Sequence, residues 1–165
     1  MAQTNLTTKE IHCKVLYLGA QGVGKSTNLQ NIYRNSSAEY KTGLVTISHG
    51  ALDDQYYEFL PLSMGYVQGY HIKIHLFTLP ISNYYPVSEQ ILLKDMDGLV
   101  YIVDSQTENL TDSIDYLFDV QNRIQEFNPE AHTLPQIYQY NKRDKDSCVS
   151  LDVLQKTFNL NGVPF

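Results

Sequence analysis

A chain of 165 residues, 42% hydrophobic and 18% charged, is the size and composition of one ordinary globular domain over residues 1–165, which excludes a fibrous or disordered protein. A net charge of −6, from 12 basic and 18 acidic residues, argues against a general nucleic-acid surface, though not against one nucleotide cradled by backbone N–H groups. Cys13 and Cys148 lack C-x-x-C or metal-ligand spacing, and no signal peptide, membrane-length apolar run, N-terminal myristoylation glycine or C-terminal prenylation cysteine is present, so the expectation is a cytoplasmic protein with reduced thiols and no direct membrane anchor.

Residues Ile11–Leu18 run apolar through Val15, Leu16, Tyr17 and Leu18 into a glycine, as a buried strand does before a turn. Lys25–Arg34 follows with Leu29, Ile32 and Tyr33 at helical spacing. Gln55–Leu62 and Tyr70–Thr78 read as strands joined by a short connection holding Gly65 and Gly69. In the second, Ile72, Ile74 and Leu76 alternate with His71, Lys73 and His75, which predicts a solvated face for the histidines rather than a metal site. Gly98–Val103 has the near-continuous apolar character of a central parallel strand.

Leu110–Phe127 predicts a helix with Leu110, Ile114, Leu117, Phe118, Ile124 and Phe127 on one stripe. Leu134–Tyr140 reads as a strand interrupted early by Pro135, and Leu151–Phe158 as a short last helix. Strands alternating with helices predict an α/β sheet with helices on both faces. The thirteen tyrosines, paired at Tyr56-Tyr57 and Tyr84-Tyr85, suit half-wet strand faces and packing more than a partner surface.

Two motifs carry chemistry. Gly19-Ala20-Gln21-Gly22-Val23-Gly24-Lys25-Ser26 fits G-x-x-x-x-G-K-[ST] between a strand and a helix. The glycines let consecutive N–H groups converge on phosphates, and the helix N-terminus adds positive potential. Lys25 supplies a point charge to the β/γ oxygens and Ser26 a hydroxyl for Mg²⁺, within a binding stretch that runs from Gly19 to Thr27. Asn141-Lys142-Arg143-Asp144 follows a strand. A carboxylate there accepts from guanine N1–H and the 2-amino group, which adenine lacks, while the asparagine addresses the purine edge and the lysine stem covers the ring. Together the motifs mark Gly19, Gln21, Gly22, Val23, Gly24, Lys25, Ser26, Thr27, Asn141, Lys142 and Asp144 as a nucleotide site at the carboxyl ends of the strands.

With these residues in hand the chain resembles the Ras-like small GTPases, and most of all the bacterial MglA-type proteins of gliding motility and cell polarity. The resemblance is carried by Gly24–Gln30, Phe59–Leu62, Asp97-Gly98, Val103–Gln106 and Gln139–Asp144, spread over roughly residues 11 to 164. It implies a P-loop NTPase fold, a Ras-like three-layer sandwich on a mostly parallel sheet, with GTP or GDP and Mg²⁺ as ligands and a Roadblock-domain regulator of the MglB type as partner.

The departures from that pattern fall on hydrolysis. Ile81 and Ser82 stand where the family carries the glycine that meets the γ-phosphate and the glutamine that orients the attacking water. Asp53 and Asp54 stand where MglA-type proteins place arginine and threonine, and Gln21 replaces a glycine close to the expected γ-phosphate. The last strand-helix unit of the family, with its base-contacting loop, does not follow Phe165, which leads one to expect an exposed sheet edge, low stability or dimerisation, or a longer natural chain. Three functions fit: a nucleotide switch with weak hydrolysis, a GTPase with unusual or partner-supplied catalytic groups, and a pseudo-GTPase scaffold. The intact Lys25, Ser26, Asn141 and Asp144 favour the first over the third, and Ile81 and Ser82 favour it over the second. An ATP-dependent P-loop enzyme is disfavoured by Asn141–Asp144.

Overall fold

The apolar run before the first glycine turn becomes the central strand of a seven-stranded sheet in the computed structural model, which describes residues 2–48, 56–79, 86–159 and 162–165. The strands are β1 (Gln3–Asn5), β2 (Glu10–Leu18), β3 (Val45–Ser48), β4 (Tyr56–Val67), β5 (Tyr70–Thr78), β6 (Gly98–Asp104) and β7 (Gln136–Asn141). Their order is β3-β4-β5-β2-β6-β7, with β1 antiparallel beside the first residues of β2. Strands β5, β2, β6 and β7 are parallel, because a helix-bearing crossover separates each from the strand preceding it in this group. Strand β4 is antiparallel to β5, joined by a tight turn at Gln68-Gly69.

Four α-helices are described: α1 (Lys25–Asn35), α2 (Pro86–Lys94), α3 (Leu110–Phe127) and α4 (Leu151–Phe158). Helix α1 covers one face, where Leu29 packs with Tyr17, Leu60, Leu76 and Ile102. The others cover the opposite face, where Leu93, Leu117, Val120, Ile124, Leu154 and Phe158 meet Leu16, Leu18, Leu99 and Val103. Val15 and Tyr17 thus point one way and Leu16 and Leu18 the other, so β2 is apolar throughout because both of its faces are roofed. The result is the expected three-layer, mostly parallel α/β sandwich. An Arg123–Glu89 ion pair, 2.9 Å long with the carboxylate almost fully buried, ties α3 to α2.

Several sequence expectations change in detail. The α3 stripe is split: Ser113, Leu117, Val120 and Ile124 face the core, while Ile114 and Phe118 are 40% and 69% exposed. Strand β4 continues through Gly65 to Val67, and Gly65 lies at a register shift between Ser63 and Tyr66 rather than in the connection. Strand β7 starts at Gln136, after Pro135, whose carbonyl accepts from Leu99 N–H at 3.0 Å. Strands β1 and β3 and helix α2 add to the elements that the sequence pattern predicts. Beyond α4 no strand or helix follows among the described residues, yet Tyr138 N–H donates to Pro164 O at 2.9 Å, so the last residues partly pair the β7 edge. No described helix is long and apolar enough to cross a membrane, and both cysteines are free. Tyr84 and Tyr85 lie outside the described residues.

The histidine face of β5 is less open than alternation suggests. His71 meets the Ser63 hydroxyl at 2.6 Å, and His75 Nε2 lies 2.8 Å from His12 Nδ1, the two rings coplanar to within 2°. His75 Nδ1 is buried without a partner among the described residues. No group of three His, Cys, Asp or Glu residues that could hold a metal occurs among the described residues. Burial, and then the neighbouring His12, Lys73 and Lys14, hold the His75 imidazole below its ordinary range. The unfolded chain therefore binds the proton more readily, so this contribution is complete above about pH 6.5 and lost as pH falls through the lower folded value. The expected result is a melting temperature that drops on going from pH 7.5 to 5.5, and drops less in His75→Gln; equal slopes would show that His75 does not carry the effect.

Candidate nucleotide-binding site

Strand β2 ends at Leu18, and six residues carry the chain round to α1. The turn is possible only with little side chain. A Cβ on Gly19 would lie 2.4 Å from Ile102 O, and one on Gly24 would lie 2.3 Å from Asn141 Nδ2. Gly24 also has φ +103° and caps α1 without any side-chain acceptor, and no acid occupies the first helical turn. With no side-chain cap at Gly24 and no acid in the first turn, the positive end of the α1 dipole suits an anion.

Lys25, first residue of α1, lies within this turn. Its ammonium donates to Gly19 O at 2.6 Å and Ala20 O at 2.9 Å and stands 5.8 Å from the Tyr116 ring centre. Burial pushes its pKa down to about 8, against which the Glu58 carboxylate acts. A cation so poorly solvated is suited to bind a phosphate oxygen strongly.

The second motif buttresses the first. Asn141, the last residue of β7, donates through Nδ2 to Val23 O at 2.7 Å. Gln139 donates to Asn28 Oδ1 at 2.7 Å, and Asn28 in turn donates to Gly24 O at 3.0 Å. Lys142 turns away in the left-handed region, φ +60°, and its ammonium meets Asp104 Oδ2 at 2.6 Å. Asp144 is exposed in the following turn, and its carboxylate has no partner among the described residues. Such a carboxylate can accept two hydrogen bonds from a guanine edge.

The structure brings Gly19–Thr27, Asn141 and Lys142 together at the carboxyl ends of β2, β6 and β7, with Asp144 in the adjoining turn. Gln21, Gly22 and Thr27 are exposed, whereas Val23 is 2% exposed and packs its side chain into the core. A hollow of about 190 Å³ lies between the phosphate loop, Asp104, α3 and Lys142, and Gln21 and Gly22 line it. Asp53, Asp54, Ile81 and Ser82 lie outside the described residues.

Glu58, Asp104, Asn28 and Gln139 were not anticipated as site residues. The signal for Glu58 was present: it shares a strand face with Leu60 and Leu62, both packed toward α1, so a carboxylate occupies a core position. Glu58 is 2% exposed, and its Oε2 is buried without a partner among the described residues. Its amide donates to Thr78 Oγ1 at 2.9 Å, which fixes the strand end that carries it. A buried carboxylate oxygen with no partner among the described residues, in the field of Lys25, has the hard-oxygen chemistry that suits Mg²⁺, as does the Ser26 hydroxyl of the motif.

Comparison with known proteins agrees with this geometry. Residues 14–148 match the conserved region of the Gtr1/RagA G proteins. The chain is also 34% identical over 164 residues to the mutual gliding-motility protein MglA of Myxococcus xanthus (strain DK1622), an alignment covering 99% of this chain and 84% of that protein.

Proposed function

The chain is a Ras-like small GTPase of the Gtr1/RagA family, related to MglA, and from that premise we propose that it acts as a guanine-nucleotide switch with slow GTP hydrolysis. The observation that carries the reading is the bond from Asn141 Nδ2 to Val23 O, which ties the base-reading loop to the phosphate loop. Two motifs that could each be chance matches support one ligand when each buttresses the other. In this reading Gly19–Thr27 wrap the phosphates, Lys25 meets the β/γ oxygens, Asn141 and Lys142 hold the base, and Asp144 selects guanine.

Ser26 and Glu58 are the residues that would hold Mg²⁺, which when bound neutralises charge on the β- and γ-phosphate oxygens. Slow hydrolysis follows from the residue types: serine at position 82 is shorter than the glutamine the family uses to orient water, isoleucine at 81 carries a side chain where the family has glycine, and aspartate at 53 cannot stabilise negative charge. The likeness to MglA extends the proposal to motility or polarity regulation in the cytoplasm, with a Roadblock-type regulator. The retained Lys25, Ser26, Asn141 and Asp144 weigh against a scaffold that holds no nucleotide.

The test is direct. The purified protein is expected to carry GDP or GTP and to prefer GTP over ATP in competition; an empty site with no measurable GTP binding overturns the switch. A single-turnover assay with and without a Roadblock-type partner is expected to stay well below the ~1 s⁻¹ of assisted GTPases. Turnover at that rate would overturn slow hydrolysis while leaving binding intact.

A further inference from the structure

Asp104 ends β6 at the mouth of the hollow and is 1% exposed. Three donors converge on its carboxylate: Gln106 N–H at 3.0 Å on Oδ1, with Asn109 Nδ2 at 2.9 Å and the Lys142 ammonium at 2.6 Å on Oδ2. Burial drives the carboxyl upward, but the Lys142 and Gln106 bonds, the Lys142 charge and the Asn109 bond together hold it below the ordinary carboxylate range. An acid this deep requires its cation, since removal of one partner leaves an uncompensated buried charge.

The lysine end of the pair is equally constrained. Lys142 is a non-glycine residue with φ +60°, a conformation that persists only where the surroundings impose it. The register pairs Asp104 with Asn141, which places Lys142 one residue beyond the end of the ladder. Its carbonyl accepts from Cys148 Sγ at 3.2 Å, and Ser105 N–H donates to Asn141 O at 3.0 Å. With its ammonium consumed by Asp104, what Lys142 has left for a ligand is its methylene stem.

We infer that Asp104 is a positioning residue for the nucleotide base, anchoring the Lys142 ammonium so that the lysine stem lies as a fixed apolar platform for the purine face. This rests on the nucleotide-binding reading above and deepens it. A platform of methylenes is indifferent to the substituents of the purine, so Asp104 governs affinity for purine nucleotides in general. Selectivity stays with the Asp144 carboxylate, which reads the guanine edge. The division of labour separates this role from a merely structural one: a loosened 142–149 loop would displace Asp144 as well, and selectivity would fall with affinity.

The experiment measures GDP and IDP affinities of the parent, Asp104→Asn, Lys142→Met and the double variant Asp104→Asn/Lys142→Met. IDP lacks the 2-amino group, so the GDP/IDP ratio reports Asp144 alone. The expected result is a loss of about tenfold for each single variant on both nucleotides, an unchanged ratio, and a double variant no worse than either single one. Lys142→Met reads the same anchor from its other end if Asp104→Asn does not fold. Single losses that multiply in the double variant, a variant that binds as the parent does, or a ratio that collapses with affinity would each overturn the inference while the switch reading stands. A parent that binds neither nucleotide overturns the switch reading, and this inference with it.

Discussion

Replacing Lys25 with alanine is expected to lower GTP affinity by about 10²-fold or more while leaving the fold intact, because hydrogen bonds to a charged group are worth about 1.5–3 kcal/mol each and this side chain is placed to make more than one. Among the described residues the ammonium meets the Gly19 and Ala20 carbonyls and the Tyr116 ring, contacts that a water can replace. Loss of affinity with an unchanged thermal melt would therefore be a statement about the ligand rather than about folding. Ser26→Ala, by contrast, is expected to blunt the dependence of GTP affinity on Mg²⁺ more than the affinity measured without the metal. Titration calorimetry with and without Mg²⁺ separates the two. If both variants bind GTP as the parent does, residues 19–27 are not the phosphate site.

The second large effect is expected at Asp144. Truncation to alanine leaves two guanine donors unpaired, and an unsatisfied buried group costs about 1–3 kcal/mol, more when a charge is involved. GTP affinity should fall by one to two orders of magnitude on that scale, with ATP affinity nearly unchanged. Asp144→Asn carries a sharper signature. Xanthine presents a carbonyl where guanine has its amino group, and an asparagine amide can donate to that carbonyl where the carboxylate cannot. Competition titration is expected to move preference from GTP toward XTP in this variant. Comparable GTP and ATP affinities in the unaltered protein would remove Asp144 from the role altogether.

Much of the architecture could be read in advance because it is written in local chemistry. The phosphate loop is a consecutive motif, and β2, β6 and α3 announce themselves through apolar runs or helical spacing. The elements that escaped did so for identifiable reasons. Strand β3 is four residues long, with Val45 and Ile47 47% and 57% exposed at the sheet edge, too short and too wet for alternation to stand out. Helix α2 places Glu89 at a buried position against Arg123, which breaks the apolar periodicity where the core begins. Ile114 and Phe118 fit the helical spacing, but spacing cannot say how much of the stripe is covered; they line an open hollow beside Gln136 and Tyr138 of β7 and stay exposed.

What the residues determined unaided is the ligand class: a turn of glycines before Lys25 and a carboxylate after Asn141-Lys142 narrow the chemistry to a phosphate and a guanine edge. What only the tertiary structure decided is how those groups are held. Lys142 and Asp104 are 38 residues apart, and Asn141 and Val23 are 118 apart. Periodicity reports the surroundings of a residue averaged over its own strand or helix, whereas these pairs depend on the register of one strand against another. The pairing of Asp104 with Asn141 across β6 and β7 brings the anchor to the lysine, and the antiparallel return of β4 beside β5 sets the Glu58 carboxylate where its charge opposes the loss of a proton from Lys25.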